Sequence, residues 1–164
     1  MTFTVSAFGH TGITVADMDT SLAFWRDLLG FKEVLNAELD GDFASQITGV
    51  EGTDIHFVIL EGPGHSIELV QYRGPKERQF LRPRPSDVGS LHVALMVDSI
   101  DGILDAAASH GWQTPGSAQT VGDGPFAGTS FVYMYGPDGT VVELIEPPAD
   151  APADSHVHMH SVTG

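Results

Sequence analysis

The chain contains no cysteine, few basic residues and no long apolar run. Without cysteine there are no disulfides, no thiolate metal ligands and no cysteine nucleophile, so a bound metal would be held by nitrogen and oxygen atoms of His, Asp and Glu. The N-terminus lacks a charged stretch followed by an apolar core, and no apolar segment approaches the length of a membrane span. We therefore expect a cytoplasmic protein with no membrane segment.

The chain is also poor in positive charge. Its 22 acidic residues outnumber 7 basic ones, which gives a formal net charge of -15 at pH 7. Such a charge repels nucleic acid and anionic membrane surfaces, so neither is an expected partner. Most of the basic residues fall in one short segment, namely Arg73, Lys76, Arg78, Arg82 and Arg84. This segment is either a solvated linker or an arm that contacts an anion or a second subunit.

A motif occurs twice in the chain. The first copy runs from His10 through Ile13 and Val15 to Asp19, and the second from His92 through Leu95 and Val97 to Asp101, with the same spacing. Each copy is followed later by a glutamate flanked by apolar residues, Glu68 in the first and Glu143 in the second. The apolar residues, one histidine and one carboxylate thus recur in both copies. This repeat predicts two similar modules that share one function.

The repeat divides the chain into two modules, residues 1–73 and 90–147, separated by a connector at 74–89 that contains three prolines. The pattern of the first module predicts a strand at 9–15, a helix at 20–29 that Asp17 or Asp19 would cap, and strands at 31–38, 43–48, 55–60 and 66–72. The second predicts a strand at 90–97, a helix at 100–110 and strands at 112–114, 128–135 and 140–146. Residues 148–164 have the composition of a flexible tail.

The two glutamates alternate with apolar neighbours in their predicted strands. Glu68 lies between Ile67 and Leu69, and Glu143 between Val142 and Leu144, so each carboxylate points to the face opposite its neighbours. An ionised carboxylate on a concave sheet face is costly unless it is paired, hydrogen-bonded or bound to metal. Because both modules also carry a histidine in their first strand, a metal site explains all four residues together: His10, Glu68, His92 and Glu143.

In its motifs the chain resembles the vicinal oxygen chelate superfamily, which contains glyoxalases, bleomycin-resistance proteins and extradiol dioxygenases. The resemblance spans residues 7 to 147 and is carried by the phrases HTGITV at 10–15, FWRDLLGF at 24–31, HSIELV at 65–70, LHVAL at 91–95 and PDGTVVELI at 137–145. It implies an α+β fold of two βαβββ modules whose mixed sheets curl into a half-open barrel. It also implies a divalent metal on the inner face, held by one His and one Glu from each module.

The ligand set favours some members of that family over others. Family dioxygenases and fosfomycin-resistance transferases use two histidines and one glutamate, whereas glyoxalase I and epimerase members have four protein ligands. Glu68 would be the additional ligand, so the resemblance implies an isomerase, epimerase or lyase closest to glyoxalase I and methylmalonyl-CoA epimerases. A ferrous ring-cleaving dioxygenase and a non-catalytic drug-binding or metal-binding protein remain alternatives.

The expected chemistry is proton transfer beside a carbonyl group. One divalent ion, nickel, cobalt, zinc, manganese or iron, would leave two positions for adjacent oxygens of a small-molecule substrate. A carboxylate would then remove the neighbouring proton and return it. The candidate bases are Glu68, Glu143 and, from a loose similarity to a catalytic glutamate of methylmalonyl-CoA epimerases, Glu51. Glu38 is a weaker rival.

The remaining expectations concern the other histidines and the oligomeric state. His56 and His65 lie close in sequence to Glu68, and any contribution they make to the metal site would be indirect, through contacts with the metal ligands. Three imidazoles, those of His156, His158 and His160, would share one face if the tail were extended, although a disordered tail is the simpler interpretation. Family members often form homodimers, so the site is expected either within one chain or across two.

Overall fold

The structure is a computed structural model that describes residues 3–151. It divides the chain into two compact units, the first ending at Phe80 and the second beginning at Leu81, here called unit 1 and unit 2. The proposed histidine triplet of the tail, His156, His158 and His160, lies outside the described residues.

Unit 1 contains four strands and three short helical segments. In chain order these are β1 (Thr11–Val15), α1 (Met18–Leu22), a π-helical segment (Ala23–Leu28), β2 (Lys32–Asp40), α2 (Gly41–Thr48), β3 (Asp54–Gly62) and β4 (His65–Gly74). The sheet order is β1-β4-β3-β2, in which β1 is parallel to β4 and the other pairs are antiparallel. The first helix was predicted at 20–29, and it begins earlier because Asp17 is the cap: its carboxylate accepts a hydrogen bond from the Thr20 amide at 2.8 Å.

One face of this sheet forms the core of unit 1. Val58 and Leu60 of β3 and Ile67 and Leu69 of β4 are buried, as are the aromatic rings of the first helix, Phe24 and Trp25. The π-helical turn changes the helical register near these rings, with the Leu29 amide bonded to the Phe24 carbonyl five residues earlier. Because they are almost completely buried, these two aromatic residues serve packing.

The segment predicted as a strand at 43–48 is a helix, so that prediction was wrong. Strand β2 continues to Asp40, which pairs with Asp54, and α2 is inserted between the two strands. The spacing of Ala44 and Thr48 is helical, with the Thr48 hydroxyl bonded to the Ala44 carbonyl, and Gly49 ends the helix at φ 69°. An Asp-Gly pair is typical of a hairpin turn, but Asp40-Gly41 begins a helix instead.

Within residues 81–151, unit 2 contains four strands and one helix. They are β5 (Val93–Met96), α3 (Ile100–Ala108), β6 (Gln119–Thr120), β7 (Ser130–Tyr135) and β8 (Val141–Glu146). The sheet order is β5-β8-β7-β6, with β5 parallel to β8. The predicted strand at 112–114 is reduced to one bridge between Gln113 and Tyr135, and the short strand β6 was not predicted.

The core of unit 2 again lies on one face of the sheet. Val132 and Met134 of β7 and Val142 and Leu144 of β8 are buried there, together with Ile100 and Ala107 of α3 and Trp112. Helix α3 is capped twice, because the Ser99 hydroxyl accepts from the Gly102 amide and the Glu146 carboxylate accepts from the Ile100 amide. The last strand therefore fixes the start of the helix.

The two sheets have the same order of equivalent strands, which confirms the repeat read from the sequence. Each is a four-stranded mixed sheet that remains open at its edges, so the predicted α+β fold of two strand-helix-strand modules is confirmed. Unit 1 differs by the inserted α2. No helix in residues 3–151 is long and apolar enough to cross a membrane.

Candidate metal centre

The first candidate half-site lies at the start of β1 in unit 1. His10 directly precedes this strand, and Gly12 pairs with Glu68 of β4. Alternation along the strand brings His10 and Gly12 to the face on which Glu68 lies, opposite the buried face that carries Ile67 and Leu69. The His10 Nε2 and Glu68 Oε2 atoms are 3.1 Å apart, and the glutamate side chain is only 22% exposed.

The second half-site repeats this arrangement in unit 2. His92 precedes β5, and Ala94 pairs with Glu143 of β8. The His92 Nε2 and Glu143 Oε2 atoms are 3.3 Å apart, and the glutamate side chain is 17% exposed. In both units a largely buried carboxylate thus has an imidazole as its partner, which satisfies part of its hydrogen-bonding need.

The second pair has an additional neighbour, Tyr133. This residue lies opposite Glu143 in the β7–β8 register, and its ring is T-shaped to that of His92, with 5.2 Å between the ring centroids. Burial, followed by the charge of Glu143, raises the pKa of Tyr133 above its ordinary value, so the phenol remains a neutral donor. Tyr133 was not predicted from the sequence as a site residue, although counting back along β7 from the hairpin turn at 136–139 places it opposite Glu143.

The donor atoms of both pairs fit a divalent metal. Nitrogen or oxygen ligands about 2.1 Å from one ion, at octahedral or tetrahedral angles, lie about 3.0 to 3.4 Å apart. The measured separations of 3.1 and 3.3 Å lie within this range. Without a metal, the same distances fit a hydrogen bond between imidazole and carboxylate. Imidazole and carboxylate are ligands suited to zinc, iron, nickel or manganese.

Each unit provides two ligand-type side chains and not a full set. Within residues 3–151 no group of three or more His, Asp or Glu side chains is placed to hold a metal ion. The described geometry is therefore that of one His–Glu pair in each unit. A four-ligand centre remains a prediction.

The other residues singled out in the sequence lie away from the first pair. Glu51 is exposed in the turn between α2 and β3, and no hydrogen bond or ion pair of the described residues joins it to His10 or Glu68. Glu38 pairs with Arg73 at 2.6 Å, and the hydrogen bond from that guanidinium lowers the pKa of the Glu38 carboxyl. Both therefore lack a described contact to the site.

Neither of the two additional histidines faces Glu68. His56 alternates with Phe57 and shares its sheet face with Val58 and Leu60, and its ring is hydrogen-bonded to Asn36 at 2.8 Å. His65 shares a face with Ile67 and is hydrogen-bonded to Thr11 at 2.8 Å. Because Glu68 occupies the opposite face, these imidazoles have structural partners of their own.

The comparison with family models identifies the chain. Residues 7–144 match the model described as the Glyoxalase/Bleomycin resistance protein/Dioxygenase superfamily. The chain belongs to this superfamily. Its similarity to a curated protein agrees: it is 32% identical over 158 residues to 2-epi-5-epi-valiolone epimerase from an Actinomyces species, covering 93% of this chain and 86% of that protein.

Solved structures of the same superfamily share the fold. A glyoxalase family protein from Bacillus cereus is 21% identical and superposes with a TM-score of 0.76, covering 89% of this chain and 97% of that one. The fosfomycin resistance protein FosX from Listeria monocytogenes is 16% identical with a TM-score of 0.54, covering 89% and 97% of the two chains. At these identities the likeness concerns the fold alone.

Proposed function

We propose that this protein is a divalent-metal-dependent isomerase, epimerase or lyase that moves a proton next to a carbonyl group of a small oxygenated metabolite. The observation that carries the proposal is the pair of matched half-sites, each with a ring nitrogen and a carboxylate oxygen at ligand-like separation. Membership of a superfamily with an epimerase relative supports an enzyme of this kind.

The residues proposed to hold the metal are His10, Glu68, His92 and Glu143. When bound, the metal supplies a Lewis acid that polarises a substrate oxygen and makes the adjacent hydrogen more acidic. Nitrogen and oxygen ligands alone are compatible with nickel, cobalt, zinc, manganese or iron, so the donor set does not select one metal.

The chain's own carboxylates would move the proton. A general base must reach the hydrogen it removes within hydrogen-bonding distance, and a partly buried carboxylate beside an imidazole is suited to accept a proton and return it. Glu68 is our first candidate for this role and Glu143 the second. Glu51 stays a third candidate, which requires the exposed turn at 49–52 to approach the substrate.

Solvent isotope exchange tests the proposed reaction. The metal-loaded protein is incubated in deuterium oxide with candidate substrates, beginning with 2-epi-5-epi-valiolone, the compound named for the epimerase relative. We expect deuterium to enter the carbon beside the carbonyl, and we expect Glu68→Gln to abolish the exchange while Glu61→Gln, an exposed change on the neighbouring strand, leaves it intact. Absence of exchange with ketone, hemithioacetal and acyl-thioester substrates, or oxygen uptake with catechols after iron loading, would overturn the proposal.

The two halves of the site are proposed to meet within one chain or across a homodimer, and a mixing experiment distinguishes these. One variant carries His10→Ala and Glu68→Gln, and the other carries His92→Ala and Glu143→Gln. If two chains build each site, mixing the inactive variants under conditions of subunit exchange restores a fraction of the activity. If each chain builds its own site, the mixture stays inactive.

A further inference from the structure

Unit 2 has a groove that the proposed metal site does not use. Its volume is about 560 Å³, which lies within the usual range of about 300 to 1,000 Å³ for small-molecule sites. Polar side chains from three segments line it: Arg82 and Arg84 of the connector, Gln113 and Thr114 after α3, and Tyr135 at the end of β7. It is large enough for a metabolite of the size of a sugar.

The charge of the groove is opposite to that of the chain. Acidic residues outnumber basic ones by 22 to 7 overall, yet the described residues that line the groove include two arginines and no aspartate or glutamate. A concave surface with one sign of charge concentrates ligands of the opposite sign. The groove is therefore suited to an anion, even though the protein as a whole repels anions.

The two arginines are not equally free to bind a ligand. Arg84 forms a forked contact with Asp87, in which Nη2 lies 2.7 Å and Nε 3.1 Å from the same carboxylate oxygen, and these bonds lower the pKa of Asp87. Arg82 donates one hydrogen bond, to the Pro137 carbonyl at 3.2 Å, and no ion pair joins it to a carboxylate of the described residues. Since a guanidinium has five N–H donors, Arg82 keeps most of its donors for a ligand.

The connector backbone next to Arg82 lies close against the turn that contains Gly139. Gly139 adopts φ +84°, and a Cβ atom there would collide with the Leu81 carbonyl oxygen and press on the Arg82 side chain at 3.2 Å. The connector backbone can lie against the turn only because this residue is glycine. The close approach at Gly139 and the hydrogen bond to the Pro137 carbonyl both restrict Arg82. This restriction reduces the conformational entropy that is lost when Arg82 is ordered around a ligand.

We infer that this groove binds a small molecule that carries a phosphate or carboxylate group, with Arg82 donating to its oxygens. The Gln113 amide and the Tyr135 hydroxyl make no side-chain hydrogen bond within the described residues, so they are available to hydroxyl groups of the same molecule. An arginine fork matches the geometry of either oxyanion. The inference goes beyond the proposed reaction, because binding here needs neither metal nor turnover.

Direct binding to the full chain tests the inference. After removal of metal with a chelator, the protein is titrated with glucose 6-phosphate, with glucuronate and with uncharged glucose, and amide resonances are followed by NMR. We expect saturable shifts at Gln113, Thr114 and Tyr135 with at least one charged sugar and none with glucose. The sugar that binds more tightly identifies the preferred group, phosphate or carboxylate.

Two arginines of the connector provide a matched comparison. Arg82→Gln is expected to weaken binding about tenfold or more, since it removes a charged fork, whereas Arg78→Gln should change it less than about twofold. Arg78 is a suitable control because it belongs to unit 1 and donates to the Tyr72 carbonyl. Arg82→Lys keeps the charge and should give an intermediate affinity, which excludes misfolding as the cause if Arg82→Gln is unstable.

Three results would overturn the inference. They are the absence of saturable binding by both charged sugars, equal affinity in wild type and Arg82→Gln, and shifts confined to residues outside the groove. In each case the proposed metal chemistry would be unaffected, because its test measures isotope exchange at a different site.

Discussion

The two His–Glu pairs have similar separations between the ring nitrogen and the carboxylate oxygen, 3.1 and 3.3 Å, but the residues around the two glutamates differ. Glu143 faces Tyr133 on one side and Ala94 on the other, and the negative charge of Glu143 helps to raise the pKa of Tyr133. At the equivalent positions Glu68 faces Ile59 and Gly12, which offer no side-chain hydrogen bond. One carboxylate therefore has a neighbouring phenol that can donate to it, and the other has chiefly its histidine. We therefore expect Glu143 to be the fixed ligand and Glu68 the more mobile one.

The largest expected effect comes from removing the imidazole of each half in turn. If both halves hold one ion, His10→Ala and His92→Ala should each lower metal affinity and turnover by about 100-fold or more, because a ligand contributes more than the 10- to 100-fold typical of its supporting residues. Equilibrium dialysis and turnover measure the effect. His56→Ala is the control, since that ring is bonded to Asn36 on the other sheet face. Loss in only one of the two variants would show that a single half forms the site.

The next effect tests the additional partner of Glu143. Tyr133→Phe removes only the hydroxyl beside the Glu143 carboxylate; if that hydroxyl orients the ligand, metal affinity should fall about 10- to 100-fold, the usual cost of losing a residue that orients a ligand. The absorption spectrum of the cobalt-loaded protein should change as well, because it reports ligand geometry. Tyr72→Phe, on β4 of unit 1, should alter neither quantity. An unchanged affinity in Tyr133→Phe would remove the difference between the two halves.

A smaller effect is expected from making the first half resemble the second. A Cβ atom at Gly12 would meet the Glu68 Oε2 atom at 3.6 Å, an ordinary contact, and the equivalent residue in unit 2 is already Ala94. Gly12→Ala should therefore change metal affinity less than about threefold, whereas the branched side chain of Gly12→Val should displace Glu68 and weaken binding further. Affinities of the two variants in the same assay decide this, and equal losses would contradict it.

The smallest effect concerns the ion pair between Glu38 and Arg73, which lies outside both halves. The pKa of Glu38 is lowered in the folded chain, so its contribution to stability is present above pH 4.5, the ordinary value, and is lost as pH falls through the lowered value. Both side chains are exposed, so the contribution should be small and weakened by salt. Unfolding of wild type and Glu38→Gln should converge as the pH drops below 4.5. A difference that grows in acid would contradict this.

The repeat explains how much of the fold followed from the sequence. The spacing of His10 to Asp19 and of His92 to Asp101 is local, and it predicted the strand and the following helix at the start of each module. The turns at 62–64 and 136–139, which join the last two strands of each sheet, are local sequence features as well. Helix α2 could not be read so easily, because the Asp40-Gly41 pair is compatible with a hairpin turn and with the start of a helix.

The candidate site shows a different limit. Each His–Glu pair follows from alternation along strands, but Tyr133 enters through cross-strand pairing, which depends on register and not on neighbouring residues. The role of Glu51 rests on similarity to another family member, and the turn that carries it is exposed. Residues that act through contacts between strands were therefore harder to foresee than those that act within one strand.

The metal content of purified protein tests the central claim most directly. Elemental analysis should find one divalent ion per site in the wild type, with Glu61→Gln unchanged and Glu68→Gln depleted by about tenfold or more, since an ion that loses one of four ligands is held much more weakly. Glu61 is exposed on β3 and faces Ser66. A full complement of metal in Glu68→Gln, or no divalent metal in the wild type after loading, would contradict a four-ligand centre.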